Sequence, residues 1–275
     1  MTEFLTEEQC PPESPPDASA LYRPGLIEHP DEFVRELTGI TAPWVSAFGA
    51  IRPWFRGMPR ISYSLEPSLL RYRPRPLMAT ERNLENQFRQ YGTRLLEHPP
   101  GNRVELHAVM QHHGVPTRLL DWSENAFAAL YFAVREFAHL DAPEDAVVWI
   151  LEPIRLADIQ HQQREIPFSN DHFFGSPQLP VPFYPTHVAT RLTPQRSVFT
   201  FHPFTPQHSL LRIALNELSQ GRQPPLRALR IAGAKRRFIR EAMVTAFGSG
   251  EFTFFPDLDG LGRELRMRER LEGLG

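Results

Sequence analysis

The sequence predicts an α+β fold, a single mixed domain built around a buried central helix. Helical and strand-like segments are mixed along the chain without the regular βαβ alternation of a doubly wound sheet. One helical segment is apolar nearly all round, which is typical of a helix enclosed by the rest of its domain. Of the 275 residues, 41% are hydrophobic and 20 are phenylalanine, enough for one large aromatic core. We therefore expect one α+β domain over residues 28–275.

Composition places this domain in a broad class. Residues 1–27 include a proline-rich cluster at 11–16, and because proline disfavours helix we expect an extended or disordered tail. The one cysteine, Cys10, excludes an intrachain disulfide and a cysteine zinc cluster. The net charge of −2 gives no whole-chain argument for nucleic acid, and no run approaches the roughly 18 apolar residues of a membrane span. These features predict a cytoplasmic protein without a membrane partner.

Apolar spacing and capping residues predict the helices of the N-terminal half. Thr80 is expected to be the N-cap of a helix that extends to about residue 96, because Glu81 would then lie in the first turn, where the helix dipole favours negative charge. A helix over 104–113 should end at Gly114. Other expectations are a short helix at 31–40, a first strand reached through 44–55, and a loop at 60–78 with a helical turn at 68–71.

The central helix is predicted just after a short strand at 118–122. Ser123 is expected to be its N-cap, and the helix should run to about residue 138. Phe127, Leu130 and Tyr131 are at helical spacing, and alanines fill much of the remaining surface, so this helix should be buried. Further strands are expected at 146–151, 197–201, 209–214, 227–232 and 252–255, helices at 234–247 and 258–272, and a long irregular loop at 160–190.

The tetrapeptide Trp54-Phe55-Arg56-Gly57 is the first candidate for binding chemistry. It predicts a strand that ends at a glycine, with Trp54 and Arg56 on one face. A guanidinium there could bind an anion while the indole ring stacks on a planar group. The absence of a side chain at Gly57 would let a ligand approach the backbone. A buried structural ion pair is the alternative explanation for Arg56.

The run from residue 110 to 123 is the second candidate. Gln111, His112 and His113 would occupy the last turn of a helix, where the dipole alone also favours cationic histidine. Ser123 would begin the next helix, whose free N–H groups favour an anion, although capping alone would also explain a serine there. The strand between them carries the remaining polar groups. We expect one pocket to bring together Arg56, Gln111, Arg118, Asp121 and Ser123.

Several motifs of this chain resemble the FRG domain family. They are Phe55-Arg56-Gly57, the segment 65–71, the run 111–123 and Ala129-Leu130-Tyr131-Phe132-Ala133, with a looser similarity through 191–201 and 254–260. The family pattern often has tyrosine at the position of His113 and threonine at that of Ser123, and both replacements retain a polar group. The resemblance implies a bacterial setting and does not by itself give an activity.

A second resemblance is to mono-ADP-ribosyltransferases of the arginine–serine–glutamate class. That class has an aromatic-Arg-Gly strand, then a serine-bearing strand leading into a helix, and last a strand with Gln-x-Glu or Glu-x-Glu. Arg56, Ser123 and Gln195 occur here in the same order, but Ser197 occupies the position of the catalytic glutamate. An acid would have to come from elsewhere, for example Asp121, Glu124 or Asp257, or the activity has been lost. The resemblance implies a split sheet and NAD as substrate.

The first functional hypothesis follows from this second resemblance. An NAD-dependent ADP-ribosyltransferase or NAD glycohydrolase needs a diphosphate clamp, an aromatic wall and a carboxylate near the ribose, and it requires no metal. Arg56 and Arg118 could supply the clamp, Trp54 or Trp122 the wall, and Asp121 the carboxylate. Ser123 and Gln195 would complete the catalytic set. The acceptor macromolecule is left open.

Two other hypotheses remain open from the sequence. A hydrolase or nuclease could use His112, His113 and Asp121, although adjacent histidines project about 100° apart on a helix and cannot easily share one metal ion. A non-enzymatic domain could recognise a nucleotide or a phosphorylated partner through arginines and Ser123, with no essential acid.

Overall fold

A computed structural model describes residues 22–48, 52–71, 76–96, 98–135, 144–161, 166–168, 171–174, 180–185, 196–203 and 225–272. The proline-rich cluster and the strand predicted at 209–214 lie outside these residues. In the described part of the chain, none of the helices combines the length and apolar character needed to span a bilayer.

Helices and strands are interspersed along the described residues. The helices are α1 (Pro30–Phe48), α2 (Leu77–Gly92), α3 (Arg103–His112), α4 (Ala126–Val134), α5 (Pro153–His161), α6 (Arg236–Thr245), α7 (Glu251–Phe254) and α8 (Leu258–Glu272). The strands are β1 (Tyr22–Ile27), β2 (Trp54–Met58), β3 (Leu119–Ser123), β4 (Ala146–Leu151), β5 (Val181–Phe183), β6 (Ser197–Phe201) and β7 (Leu226–Ile231). This mixture confirms the α+β class.

The seven strands form one mixed sheet in the order β1-β7-β4-β2-β3-β6-β5. β1 is parallel to β7, and the other neighbouring pairs are antiparallel. β2 pairs with β4 along its whole length, but it meets β3 only where Phe55 is opposite Ser123. The sheet is therefore continuous through a single residue pair at its centre, and β2 and β3 lose their register beyond that point.

Both faces of the sheet are covered by apolar side chains. On one face, α4 packs between α1, α6 and the inward residues of β4 and β7, and the side chains of Ala128–Tyr131, Ala133 and Val134 are buried. This confirms the predicted central helix. On the other face, Trp54, Trp122 and Trp149 belong to a second cluster. A third cluster under α3 contains several phenylalanines of β5 and β6.

Several predicted boundaries are wrong for identifiable reasons. Thr80 does not cap α2, which begins three residues earlier after Pro76, so Glu81 lies within the helix. The N-cap of α4 is Asn125, whose Oδ1 accepts hydrogen bonds from the N–H groups of Phe127 (3.0 Å) and Ala128 (3.3 Å). Ser123 is instead the last residue of β3.

Two further differences concern strands. The strand predicted at 252–255 is the helical turn α7, in which Phe254 packs into the core against Tyr131. Sequence reasoning missed β1, because its Pro24 and Gly25 are poor strand formers. β1 is the outermost strand next to β7, a position where both residues are tolerated.

Candidate functional site

The central feature of the sheet is the point where β2 and β3 part. Beyond the Phe55–Ser123 pair, the Arg56 guanidinium takes the place of backbone pairing, and its Nη1 donates to the backbone oxygen of Asp121 at 2.6 Å. The side chain of Arg56 remains 20% exposed. A charged donor to a strand carbonyl is stronger than a neutral one, so this bond holds the two strands at a fixed separation.

A cavity of about 350 Å³ lies at this parting, and we call it the α3–α4 cavity. Its first wall comes from α4, through Ala129, Phe132 and Arg135. Its second wall comes from α3, through Ala108, Gln111 and His112. The strands supply its base, which includes Phe55, Arg56, Asp121, Ser123, Ser197 and Phe199. The cavity therefore combines aromatic surfaces with a few charged and polar groups, as ligand sites do.

Asp121 presents the carboxylate of this cavity. Its Oδ2 lies 4.0 Å from Arg56 Nη1, and 53% of its side chain is accessible to solvent. The walls of the cavity nevertheless desolvate the group, and this burial raises the pKa of the Asp121 carboxyl, against the opposing effects of Arg56 and of a hydrogen bond from Gln111. A carboxylate held between desolvation and a cation is typical of functional sites.

A short chain of hydrogen bonds fixes how Gln111 faces Asp121. The buried hydroxyl of Thr117 donates to Gln111 Oε1 and accepts a hydrogen bond from the N–H of Leu119 at 3.2 Å. With its amide oxygen engaged, Gln111 turns its NH₂ group to Asp121. Thr117 therefore orients the carboxylate through Gln111, a role that sequence reasoning missed.

The structure places most of the predicted site residues at one location. Those that line the α3–α4 cavity are Arg56, Gly57, Gln111, His112, Asp121, Trp122 and Ser123. Gln195 lies outside the described residues. Arg118, Trp54 and His113 lie elsewhere, and each has an identifiable structural environment.

Arg118 is a correction to the predicted pocket. Its Nε and Nη2 donate to the two carboxylate oxygens of Glu81, at 2.7 and 2.8 Å. The guanidinium carbon lies 4.8 Å from the ring centre of Phe174 and 4.7 Å from that of Phe201. Arg118 does not line the α3–α4 cavity, and a buried fork bound to a carboxylate between two rings has few donors left for a ligand.

Glu81 and Arg118 belong to a larger group, the α2–α3 ion cluster, which consists of Glu81, Glu85, Arg103, His107 and Arg118. Arg103 Nε donates to Glu85 Oε2 at 2.7 Å, and the buried His107 ring lies between the two glutamates. Burial opposes ionisation of Glu85, but its contacts with His107 and Arg103 outweigh this and hold the pKa of Glu85 at about 2. The cluster joins α2 to α3 and to the start of β3.

Trp54 and His113 also lie apart from the cavity. The Trp54 ring is buried in the second apolar cluster, edge-on to Tyr184 at 5.7 Å, so it is not an aromatic wall. The exposed ring of His113 contacts those of His112 (5.1 Å) and Phe88 (6.5 Å). Within the described ranges, no three His, Cys, Asp or Glu side chains are placed to hold a metal ion.

Gly57 and Ser123 line the cavity with different roles from those predicted. A Cβ on Gly57 would lie 1.7 Å from the backbone oxygen of Ala129, so the missing side chain admits α4 rather than a ligand. The Ser123 hydroxyl accepts a hydrogen bond from the N–H of Asn125 at 3.0 Å, which stabilises the turn into α4. The free N–H groups at the start of α4 are capped by Asn125, which removes the anion site expected there.

The cavity residues that were not predicted as site residues include Phe132, Arg135, Ser197 and Phe199. Helical spacing could have found the first two, because residues three apart share a helix face and Ala129, Phe132 and Arg135 follow that spacing. Ser197 and Phe199 lie opposite Ser123 and Asp121 on β6. Their positions depend on strand pairing, which the sequence does not specify.

Behind the cavity base, a buried hydrogen-bonded group supports Trp122. Its indole Nε1 donates to Thr200 Oγ1 at 3.0 Å, and the same hydroxyl lies 3.0 Å from His202 Nε2. Burial lowers the pKa of His202 to about 3, and the positive charge of Arg56 acts in the same direction. His202 is therefore neutral at physiological pH, so its Nε2 can accept the Thr200 proton.

This gives a pH prediction for folding. The pKa of His202 is 6.5 in the unfolded chain and about 3 in the folded protein. Between these two pH values the unfolded chain binds a proton at His202 that the folded protein does not, so folding stability falls as the pH falls. His202→Gln should remove this contribution to the pH dependence of unfolding. The difference in free energy of unfolding between the parent and the less stable variant should therefore shrink by about 2 kcal/mol between pH 7 and about pH 4.5. Urea unfolding of both proteins at several pH values measures it. Parallel stability curves for the two proteins would contradict the assignment.

Comparison with protein families gives a match over part of the chain. The family model described as FRG domain matches residues 52–142. This range contains β2, α3, β3 and α4, which build both walls and most of the base of the cavity, whereas Ser197 and Phe199 lie beyond it. Neither the curated proteins nor the solved structures contain a match to the chain.

Proposed function

We propose that the segment matched by the FRG-domain model, residues 52–142, binds NAD in the α3–α4 cavity and cleaves the bond between nicotinamide and ribose. One observation carries the proposal. Where β2 and β3 part, the Asp121 carboxylate and the Arg56 guanidinium lie 4.0 Å apart within a cavity that also has aromatic walls. This combination provides a negative group for a developing cation and a positive group for a phosphate.

The chemistry requires little beyond such a carboxylate. As the ribose–nitrogen bond breaks, its electron pair leaves with neutral nicotinamide, and positive charge develops on the ribose. An ionised Asp121 would stabilise that charge electrostatically. Water then adds to the ribose carbon and releases a proton, giving ADP-ribose, nicotinamide and H⁺. A nucleophile on an acceptor in place of water would give ADP-ribosyl transfer.

The surroundings of Asp121 act in opposite directions on the required ionised form, and burial dominates, so the pKa of its carboxyl is raised. Burial in the cavity disfavours the charge, but the Arg56 cation and the hydrogen bond from Gln111 both stabilise the carboxylate. The Thr117 hydroxyl keeps Gln111 in the donating orientation. A carboxylate held in a fixed orientation loses less energy in reorganisation when charge appears next to it.

The cavity size supports one end of the ligand inside. A volume of about 350 Å³ is at the lower end of the range for small-molecule sites, roughly 300–1,000 Å³. The partly buried ring of Phe132 offers an apolar surface for a planar nicotinamide. Arg56 Nη1 donates one hydrogen to the Asp121 backbone oxygen and Nε is buried, so the remaining Nη hydrogens are the donors proposed to bind a phosphate.

A second candidate function is recognition of a nucleotide without turnover. Ser197 lines the cavity at the position where the arginine–serine–glutamate class has its catalytic glutamate. A hydroxyl there can bind a ligand but cannot supply the missing negative charge. In this alternative, Asp121 serves only to orient Arg56.

The test combines calorimetric titration of NAD with measurement of released nicotinamide. Arg56→Ala should weaken NAD binding by about 10- to 100-fold, since a charged hydrogen bond contributes about 1.5–3 kcal/mol. Arg56→Lys should recover only part, because the planar fork is lost. Asp121→Asn should bind NAD within about threefold of the parent and release no nicotinamide. Arg52→Ala, which removes an arginine whose side chain is 61% exposed, is the matched control and should behave as the parent.

The outcomes separate the candidates. Parent protein that binds NAD but releases no nicotinamide supports recognition without turnover. A parent that does not bind NAD at all, or equal binding by the parent and Arg56→Ala, refutes both forms of the proposal.

A further inference from the structure

We infer that Arg135 is a second anion contact in this site and that the site selects a ligand with two phosphates, Arg56 binding one and Arg135 the other. The inference rests on the proposed function and deepens it. It assigns the second guanidinium, for which the sequence had suggested Arg118, to a residue on the α4 wall of the cavity.

Arg135 lines the same cavity as Asp121. It is the C-cap of α4 and lines the cavity together with Phe132, one turn earlier on the same helix. Its guanidinium carbon lies 5.2 Å from the centre of the Phe132 ring and 6.0 Å from that of Phe255. Two rings near a guanidinium limit its rotation, so less entropy is lost when its fork binds a phosphate.

The backbone and charge around Arg135 also favour an anion. Arg240 Nη1 donates to the backbone oxygen of Arg135 at 3.2 Å, which fixes the end of α4. The two guanidinium groups are close enough to interact: burial lowers the pKa of Arg240, and the positive charge of Arg135 lowers it further. An anion bound at Arg135 would reduce this repulsion, so the binding of a phosphate there is favoured by both charges.

The two arginines lie on different elements of the same cavity. Arg56 belongs to the base and is tied to β3 through the Asp121 oxygen, whereas Arg135 belongs to the α4 wall. A ligand with one phosphate can use Arg56 alone. A dinucleotide has a second phosphate and can use both, which predicts a preference for NAD over nicotinamide mononucleotide.

The test is calorimetric titration of NAD and of nicotinamide mononucleotide into the parent and three variants. Arg135→Ala should weaken NAD by about 10-fold or more and leave the mononucleotide within about twofold. Arg56→Ala should weaken both ligands. Arg237→Ala, which removes an arginine with a 59% exposed side chain on α6, is the charge control and should change neither. Arg135→Gln keeps much of the side-chain volume and should reproduce Arg135→Ala if charge is what matters.

Two results overturn the inference. One is NAD binding by Arg135→Ala equal to that of the parent, and the other is an equal loss of both ligands. If the parent binds no NAD, the proposed function fails, and titration of inorganic pyrophosphate decides the phosphate contacts separately. If the parent binds pyrophosphate and Arg135→Ala binds it about 10-fold more weakly, the inference is supported. Equal pyrophosphate binding by both proteins, or no binding by the parent, refutes it.

Discussion

Gly57→Ala is expected to lose about 3 kcal/mol or more of folding free energy, or to fail to fold. A Cβ at this position would lie 1.7 Å from the backbone oxygen of Ala129 and 2.7 Å from the backbone nitrogen of Ala133. These are main-chain atoms of α4, so no side-chain rotation can relieve the contact. α4 would have to move as a whole, and its buried side chains are packed on the sheet and on α6.

Denaturant unfolding measures this effect. Gly262→Ala is a matched control, because its Cβ would meet only Arg266 Nη1 at 3.7 Å, and alanine is favoured in a helix such as α8. That variant should be more stable than the parent by about 0.5 kcal/mol. If Gly57→Ala unfolds within 1 kcal/mol of the parent, the close approach of α4 to β2 does not exist in solution.

Gly57 also shows why the sequence predicts a site better than it predicts the role of each residue. A glycine after Phe55-Arg56 indicates that something comes close to the backbone, and a ligand or a helix would satisfy that requirement equally. Only the tertiary arrangement distinguishes them. The same segment correctly predicted a strand, because alternation of buried side chains is a local property.

Helix boundaries were predictable where a local signal determines them and not where strand pairing does. The end of α3 at Gly114 was predictable, because φ there is +78°, a conformation that favours glycine. The start of α4 was not, since Ser123 and Asn125 are both good N-caps two residues apart. Pairing of Ser123 with Ser197 and Phe55 extends β3 and leaves Asn125 as the cap.

For the candidate site, alternation along β3 contained information that the prediction did not use. Residues three apart on an extended strand point to opposite faces, so Arg118 and Asp121 should not be expected in one pocket. They were grouped because Arg118 precedes Ser123 by five residues and was expected to bring a second guanidinium to the same edge. Arg135 was missed although it shares a face of α4 with Ala129 and Phe132, because that spacing was used only to predict burial of the helix.

Arg118→Met is expected to destabilise the fold by about 3–5 kcal/mol, because it leaves the buried Glu81 carboxylate without its bidentate partner. The loss should be smaller when both charges are removed together, as in Glu81→Leu combined with Arg118→Met, since replacing a whole buried pair by apolar groups is close to neutral. Recovery will be incomplete, because Arg103 Nη2 also lies 3.5 Å from Glu81.

Urea unfolding of the parent, both single variants and the double variant gives the coupling energy between the two side chains. The exposed pair Arg237 and Glu241, with Nε and Oε1 at 2.8 Å, is the control, and its removal should change stability by less than about 0.5 kcal/mol. NAD binding of folded Arg118→Met should equal that of the parent, because the guanidinium is committed to the α2–α3 ion cluster. A variant of parent-like stability that no longer binds NAD would contradict this assignment and return Arg118 to the ligand site.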